Sequence, residues 1–174
     1  MQLMKFRIFR ITKIQLFMFA GILFLQSCIE RDEYPIEPYI EFSDFYVMID
    51  QASGKEIGVI VLKFTDGDGD IGLAPKDTLY PYQLDGDYYY NYIMYFYKKQ
   101  GTNFVKIETP YNIRIPIINP DDFAQNLDGE IYIDIDLDIL RTAITDGVFK
   151  FDAFIYDRAL NKSNTITSPV IQLD

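Results

Sequence analysis

The chain has 174 residues, about half of them apolar, which is material for one core of ordinary domain size and not for two. Lys5, Arg7, Arg10 and Lys13 are the only charges in the first 27 residues; without that segment 12 basic residues face 26 acidic ones, a net charge of −14. So acidic a surface repels phosphate backbones, which excludes nucleic acid as a partner. The absence of histidine excludes Ser-His-Asp and Cys-His catalysis and His-ligated zinc.

Taken in chain order, a basic stretch over 5–13 precedes an apolar run over 14–25, broken only by Gln15, and Gln26 and Ser27 lead into Cys28, the one cysteine of the chain. That is the three-part layout of an export signal over residues 1–27. A membrane-spanning helix needs about 20 apolar residues, so this run is too short for a stable span. Leu25-Gln26-Ser27-Cys28 resembles a bacterial lipobox, with Gln26 departing from its tightest form. The resemblance implies cleavage before Cys28 and acylation of its thiol, and a cysteine carrying more than one acyl chain suffices for stable anchoring. Residues 28–38, charged at Glu30 to Glu33 and punctuated by Pro35 and Pro38, read as an extended, acylated tether able to reach about 30 Å. The acidic cluster just behind Cys28 is similar to the surface-export signal of Bacteroidota lipoproteins, and a solvated linker would read the same way.

From residue 39 to 174 the chain reads as strands: period-two alternation and β-branched or aromatic enrichment recur between Gly, Asp, Asn and Pro clusters. Strands are expected near 39–48, 56–65, 88–99, 103–117 with a break at Pro110, 129–138, 148–157 and 164–173, with a tight hairpin at Gln100-Gly101-Thr102. Seven such strands predict an all-β immunoglobulin or fibronectin III type of antiparallel β-sandwich. Ile131, Ile133, Ile135 and Leu137 must face the core, which sends Asp134, Asp136 and Asp138 to the opposite face, as a cation-attracting stripe or as a solvated surface that discourages edge pairing. Tyrosines 80, 82, 88, 89, 90, 92, 95 and 97 crowd the second long loop and third strand. They suit a stacking platform for a glycan or protein, or, more simply, one core face and one sheet-covering face.

One segment carries chemistry. Phe64-Thr65-Asp66-Gly67-Asp68-Gly69-Asp70-Ile71-Gly72 places three carboxylates at alternate positions with glycines that let the backbone curl. Calcium takes about six to eight hard oxygen ligands at about 2.3 to 2.6 Å, and Asp66, Asp68 and Asp70 supply three of them economically. The spacing matches the first ligand positions of an EF-hand and Asp77 falls at the twelfth, but Ile71 stands where that loop needs glycine and a strand leads in. In Tyr156-Asp157-Arg158-Ala159-Leu160-Asn161-Lys162-Ser163-Asn164, Asp157 and Asn161 are expected to complete the site, since in such sandwiches the loop after the second strand and the loop before the last share one end. Asp85 and Asp87 are weaker candidates.

Together the lipobox and the DGDGDIG and DRALNKSN segments resemble small Bacteroidota lipoproteins with an immunoglobulin-like domain and a calcium-type loop. The resemblance implies an outer-membrane location, a Cys28 lipid anchor and structural calcium, and it brings no activity with it. The expected function is a non-enzymatic envelope module that binds a protein or glycan partner. An accessory subunit of an outer-membrane nutrient-uptake complex is the alternative. A small hydrolase built on paired carboxylates, held about 5 to 9.5 Å apart in glycosidases, is disfavoured because no pair stands out.

Overall fold

In the computed structural model residues 33–118 and 126–173 are described; Cys28 and the segment read as an export signal lie outside them. Three strands, β1 (Tyr39–Ile49), β2 (Glu56–Asp66) and β6 (Leu127–Asp136), form one antiparallel sheet in the order β1-β2-β6. The second sheet is built on β3 (Tyr92–Gln100) and β7 (Val148–Ile155). β4 (Asn103–Lys106) and β5 (Tyr111–Ile113) both lie antiparallel along one side of β3, and β8 (Ile166–Thr167) and β9 (Ile171–Gln172) both lie along the far side of β7.

β4 and β5 are thus two halves of the single strand expected over 103–117, interrupted where Pro110 has no N–H to give. β8 and β9 divide the last expected strand at Ser168-Pro169 in the same way. Counted so, the nine segments among the described residues are seven strands, three facing four, in an all-β antiparallel sandwich whose fourth strand belongs to the larger sheet. Two buried serines patch the β7 edge beside its fragmented partners. Ile155 N donates to Ser163 Oγ at 3.0 Å and Phe151 N to Ser168 Oγ at 3.0 Å, while each serine's own N–H returns a bond to the same residue's carbonyl.

The core follows the alternation. Ile60, Leu62 and Phe64 of β2 and Ile131, Ile133 and Ile135 of β6 face Tyr92, Met94 and Phe96 of β3 and Phe149, Phe151, Ala153 and Ile155 of β7. Phe42 and Phe45 are three apart and would point to opposite faces of a regular strand; a bulge between Phe42 and Asp44 turns both inward. Their rings meet Phe151 and Phe149 edge-on at 5.8 and 5.7 Å, and Phe96 bridges the same pair at 6.3 and 5.6 Å. Such pairs add about 0.5 to 1.5 kcal/mol each beyond the area they bury.

Three expectations need correction. The strand expected over 129–138 stops at Asp136, which caps a short helix, α1 (Leu137–Ala143): its Oδ1 accepts from Asp138 N at 2.9 Å and Ile139 N at 3.2 Å. Asp138 therefore leaves the carboxylate row and pairs with Lys55 at 3.3 Å. The third strand begins at Tyr92 rather than 88, with Tyr92 buried and Tyr95 and Tyr97 on the outer face under Lys106 and Lys150. Finally, the stretch read as tether is already packed on the domain at its end: Pro38 is buried and Pro35 O accepts from Gly67 N at 2.8 Å.

Candidate metal centre

The inward alternation of β2 does not stop with Phe64: Asp66 is the next core-facing position, and it is fully buried. In the opposite sheet, Asp157 continues the inward series Phe151, Ala153, Ile155 and is also buried. Two carboxylates, one from each sheet, thus close the same end of the hydrophobic core. This is the shared end that the loop argument requires, and it holds because β4 and β5 run in one direction, so the kink at Pro110 adds no reversal.

The loop after β2 adds Asp68 and Asp70. Gly69 turns it with φ of 69°, and Asp70 N donates to Asp66 Oδ2 at 2.9 Å. Ile71 is fully buried, so the position where an EF-hand needs glycine serves here as an apolar anchor. Gly72 follows with φ of 103°, where a Cβ would lie 2.2 Å from Pro116 O. The strand-like pairing of Leu73 with Pro116 then fixes the exit of the loop.

One carboxylate oxygen from each of Asp66, Asp68, Asp70 and Asp157 can be chosen so that all four lie within 4.8 Å of one another. Four hard carboxylate oxygens that close together are compatible with a shared cation of the calcium kind, which takes oxygen ligands at about 2.3 to 2.6 Å. The bonding pattern points the same way. Asp66 Oδ2 is taken by Asp70 N, and Asp70 Oδ2 by Ala159 N at 3.0 Å, yet Oδ1 of Asp66, Asp68 and Asp70 is in each case buried without a hydrogen-bond partner. Three buried acceptors left without a donor in one acidic cluster could be satisfied by a hard cation.

Burial, reinforced by the charges of Asp68 and Asp70, pushes Asp66 from the ordinary 3.8 up to about 7. Burial likewise lifts Asp157 to about 6 against the lowering effect of Asn161, and raises Asp70 with help from the Asp68 charge.

Asn161 is joined to the cluster through Asp157. Its side-chain amide donates to Asp157 Oδ2 at 2.8 Å and its backbone N–H to Oδ1 at 2.7 Å, so it positions the carboxylate. Asp77 caps the turn at Ala74 N and pairs with Arg158 at 3.7 Å, outside the cluster, as are the exposed Asp85 and Asp87.

The chain matches no protein-family model, no curated protein and no solved structure.

Residues that no local pattern announces hold the loops in place. Asn164 clamps the start of β1: Ile40 N donates to its Oδ1 at 2.8 Å and its Nδ2 to Ile40 O at 2.9 Å. Asn91 grips Ile115 in the same two-pronged manner at 2.6 and 3.2 Å. Arg114 donates to the carbonyls of Tyr89, Ala74 and Asp77, bracing the long loop between β2 and β3.

Proposed function

We propose that this chain is an outer-membrane lipoprotein whose sandwich is a non-enzymatic binding module, held at one end by a structural calcium ion and directed at a protein or glycan partner. The observation that carries the calcium reading is the convergence of three buried, partnerless carboxylate oxygens with a fourth carboxylate from the opposite sheet. Asp66 and Asp70 bring one sheet and its loop, Asp157 brings the other, and an ion shared among them joins the two sheets where the apolar core ends. Carboxylates crowded this closely are nearer than the about 5 to 9.5 Å at which glycosidases hold their working pair.

The outer face of the small sheet supports the binding-module reading. β2 is apolar on both faces, and the outward Val59 and Val61 are covered by neighbours that include Tyr46 and Tyr132. Next to them a groove of about 360 Å³ is lined by Tyr34, Tyr39, Glu41, Lys63, Asp128 and Glu130. Tyrosine rims with interleaved acceptors suit both protein anchors and sugar rings.

Two measurements test the reading. Thermal melts of the purified protein in chelator, calcium and magnesium should rise with calcium and less with magnesium; indifference to calcium would leave the loop an acidic turn. A fatty-acid probe should label the wild-type chain and not Cys28→Ala, and unchanged labelling would remove the anchor.

A further inference from the structure

We infer that the loop joining β2 to β3 is a membrane-contact surface, with Leu79, Tyr80 and Leu84 seated in the interfacial layer of the bilayer that holds the lipid anchor. The inference rests on the anchor reading above. Leu79 and Tyr80, at 80% and 88% exposed, are the two most exposed large apolar side chains among the described residues, and Leu84 is 66% exposed. This exposure is not the slackness of an unbraced loop. Tyr82, between them, donates its hydroxyl to the Arg158 carbonyl, Tyr82 N donates to Leu79 O at 2.7 Å, and Arg114 holds the loop's two flanks. A braced loop presents its apolar tip with little ordering cost on contact.

The position of the chain's entry selects lipid as the occupant. Arg158 belongs to the metal-bearing loop, so Leu79 and Tyr80 project from the metal-bearing end. The chain enters the domain at that same end: Pro35 O is bonded to Gly67 N between two of the aspartates, and a Cβ on Gly67 would lie 2.3 Å from Tyr34 O. Cys28 and Pro35 are seven residue steps apart, at most about 25 Å of fully extended chain. An acylated Cys28 therefore keeps this end within about 25 Å of the bilayer, where leucine and tyrosine are side chains suited to the interface. Charge decides the kind of surface. Asp77 is paired with Arg158, while Asp85 and Asp87 share their loop with a single cation, Lys76, so a zwitterionic surface is favoured over an anionic one.

The chain has no tryptophan, so Tyr80→Trp installs a single reporter. The acylated protein carrying it is reconstituted into phosphatidylcholine vesicles with calcium, alongside a control protein carrying Tyr132→Trp on the outer face of the small sheet. The indole at position 80 should shift its emission to shorter wavelength, resist iodide and be quenched by lipids brominated near the headgroup; the indole at position 132 should do none of these. Adding Leu79→Ser and Leu84→Ser to Tyr80→Trp should reverse the response while melting temperature is kept. A vesicle-bound protein whose loop reporter stays iodide-accessible overturns the inference, and so does a loop reporter shielded without lipid quenching, which would mean a second copy covers the loop. Acylated protein that fails to bind vesicles at all would instead defeat the anchor reading.

Discussion

Withdrawing calcium should make this domain less stable as the pH rises, the opposite of the usual carboxylate behaviour. In the metal-free fold Asp66 is pushed from 3.8 to about 7 and Asp157 to about 6, both by burial first. Between about pH 4 and pH 7 the folded chain therefore holds protons that the unfolded chain has released, so stability falls with rising pH across that window and is lowest above it. For Asp66 alone the displacement corresponds to roughly 4 kcal/mol against the buried anion. Asp157 acts in the same direction, but part of its cost is the same mutual repulsion and the two do not add. In a chain of this size roughly 4 kcal/mol is on the order of 10 °C in melting temperature. On the calcium reading proposed above the trend reverses, because the ion would bind the ionised set and displace the protons; at 100 times its dissociation constant it would add about 2.7 kcal/mol. Calorimetric melts in chelator should descend from about pH 4 to about pH 8, calcium-loaded melts should not, and the gap between them should widen with pH. A chelated protein whose melting temperature is flat or climbs over that range would refute the reasoning.

Other expected outcomes are more local. Asp68→Asn should abolish the calcium-induced rise and yet melt higher than wild type in chelator, by on the order of 1 kcal/mol, because one of the charges raising Asp66 and Asp70 is gone. Gly72→Ala should cost about 3 kcal/mol or more in urea denaturation, since both the φ of 103° and the Pro116 carbonyl 2.2 Å away oppose a Cβ. Asn164→Ala should cost about 2 kcal/mol and speed hydrogen exchange at the Ile40 amide, which loses its acceptor. Cys28→Ala should leave the protein in the soluble fraction after cell lysis, with no fatty-acid label.

What the sequence disclosed was whatever depends on near neighbours. The alternation of Ile131, Ile133 and Ile135 fixed the face of β6, and the spacing of Asp66, Asp68 and Asp70 announced a loop whose oxygens converge. The strand count came through because Pro110 and Pro169 interrupt strands without reversing them. α1 was hidden by the same alternation that revealed β6: Asp136 is both a member of the Asp134-Asp136-Asp138 series and a helix cap, and seven residues are too few to establish a helical period. A stronger signal was available for the metal centre. Asp66 and Asp157 occupy the inward positions of otherwise apolar strands, where an unpaired carboxylate has no structural reason to stand. The clamps made by Asn91, Arg114 and Asn164 could not be read, because each joins residues at least 24 positions apart or, for Asn164, 124 apart.

The divided strands along the rims of the larger sheet have a consequence for a protein held on a membrane by the proposed anchor. Molecules confined to two dimensions by a lipid collide far more often than the same number in free solution, and a long uninterrupted strand on a rim is an invitation to zip up with a neighbour. Here those rims are made of β4, β5, β8 and β9, no piece longer than four residues, with prolines at the joints and, on the β8 and β9 side, serine hydroxyls occupying two amides of β7. The larger sheet therefore offers a neighbour no long run of backbone to pair with.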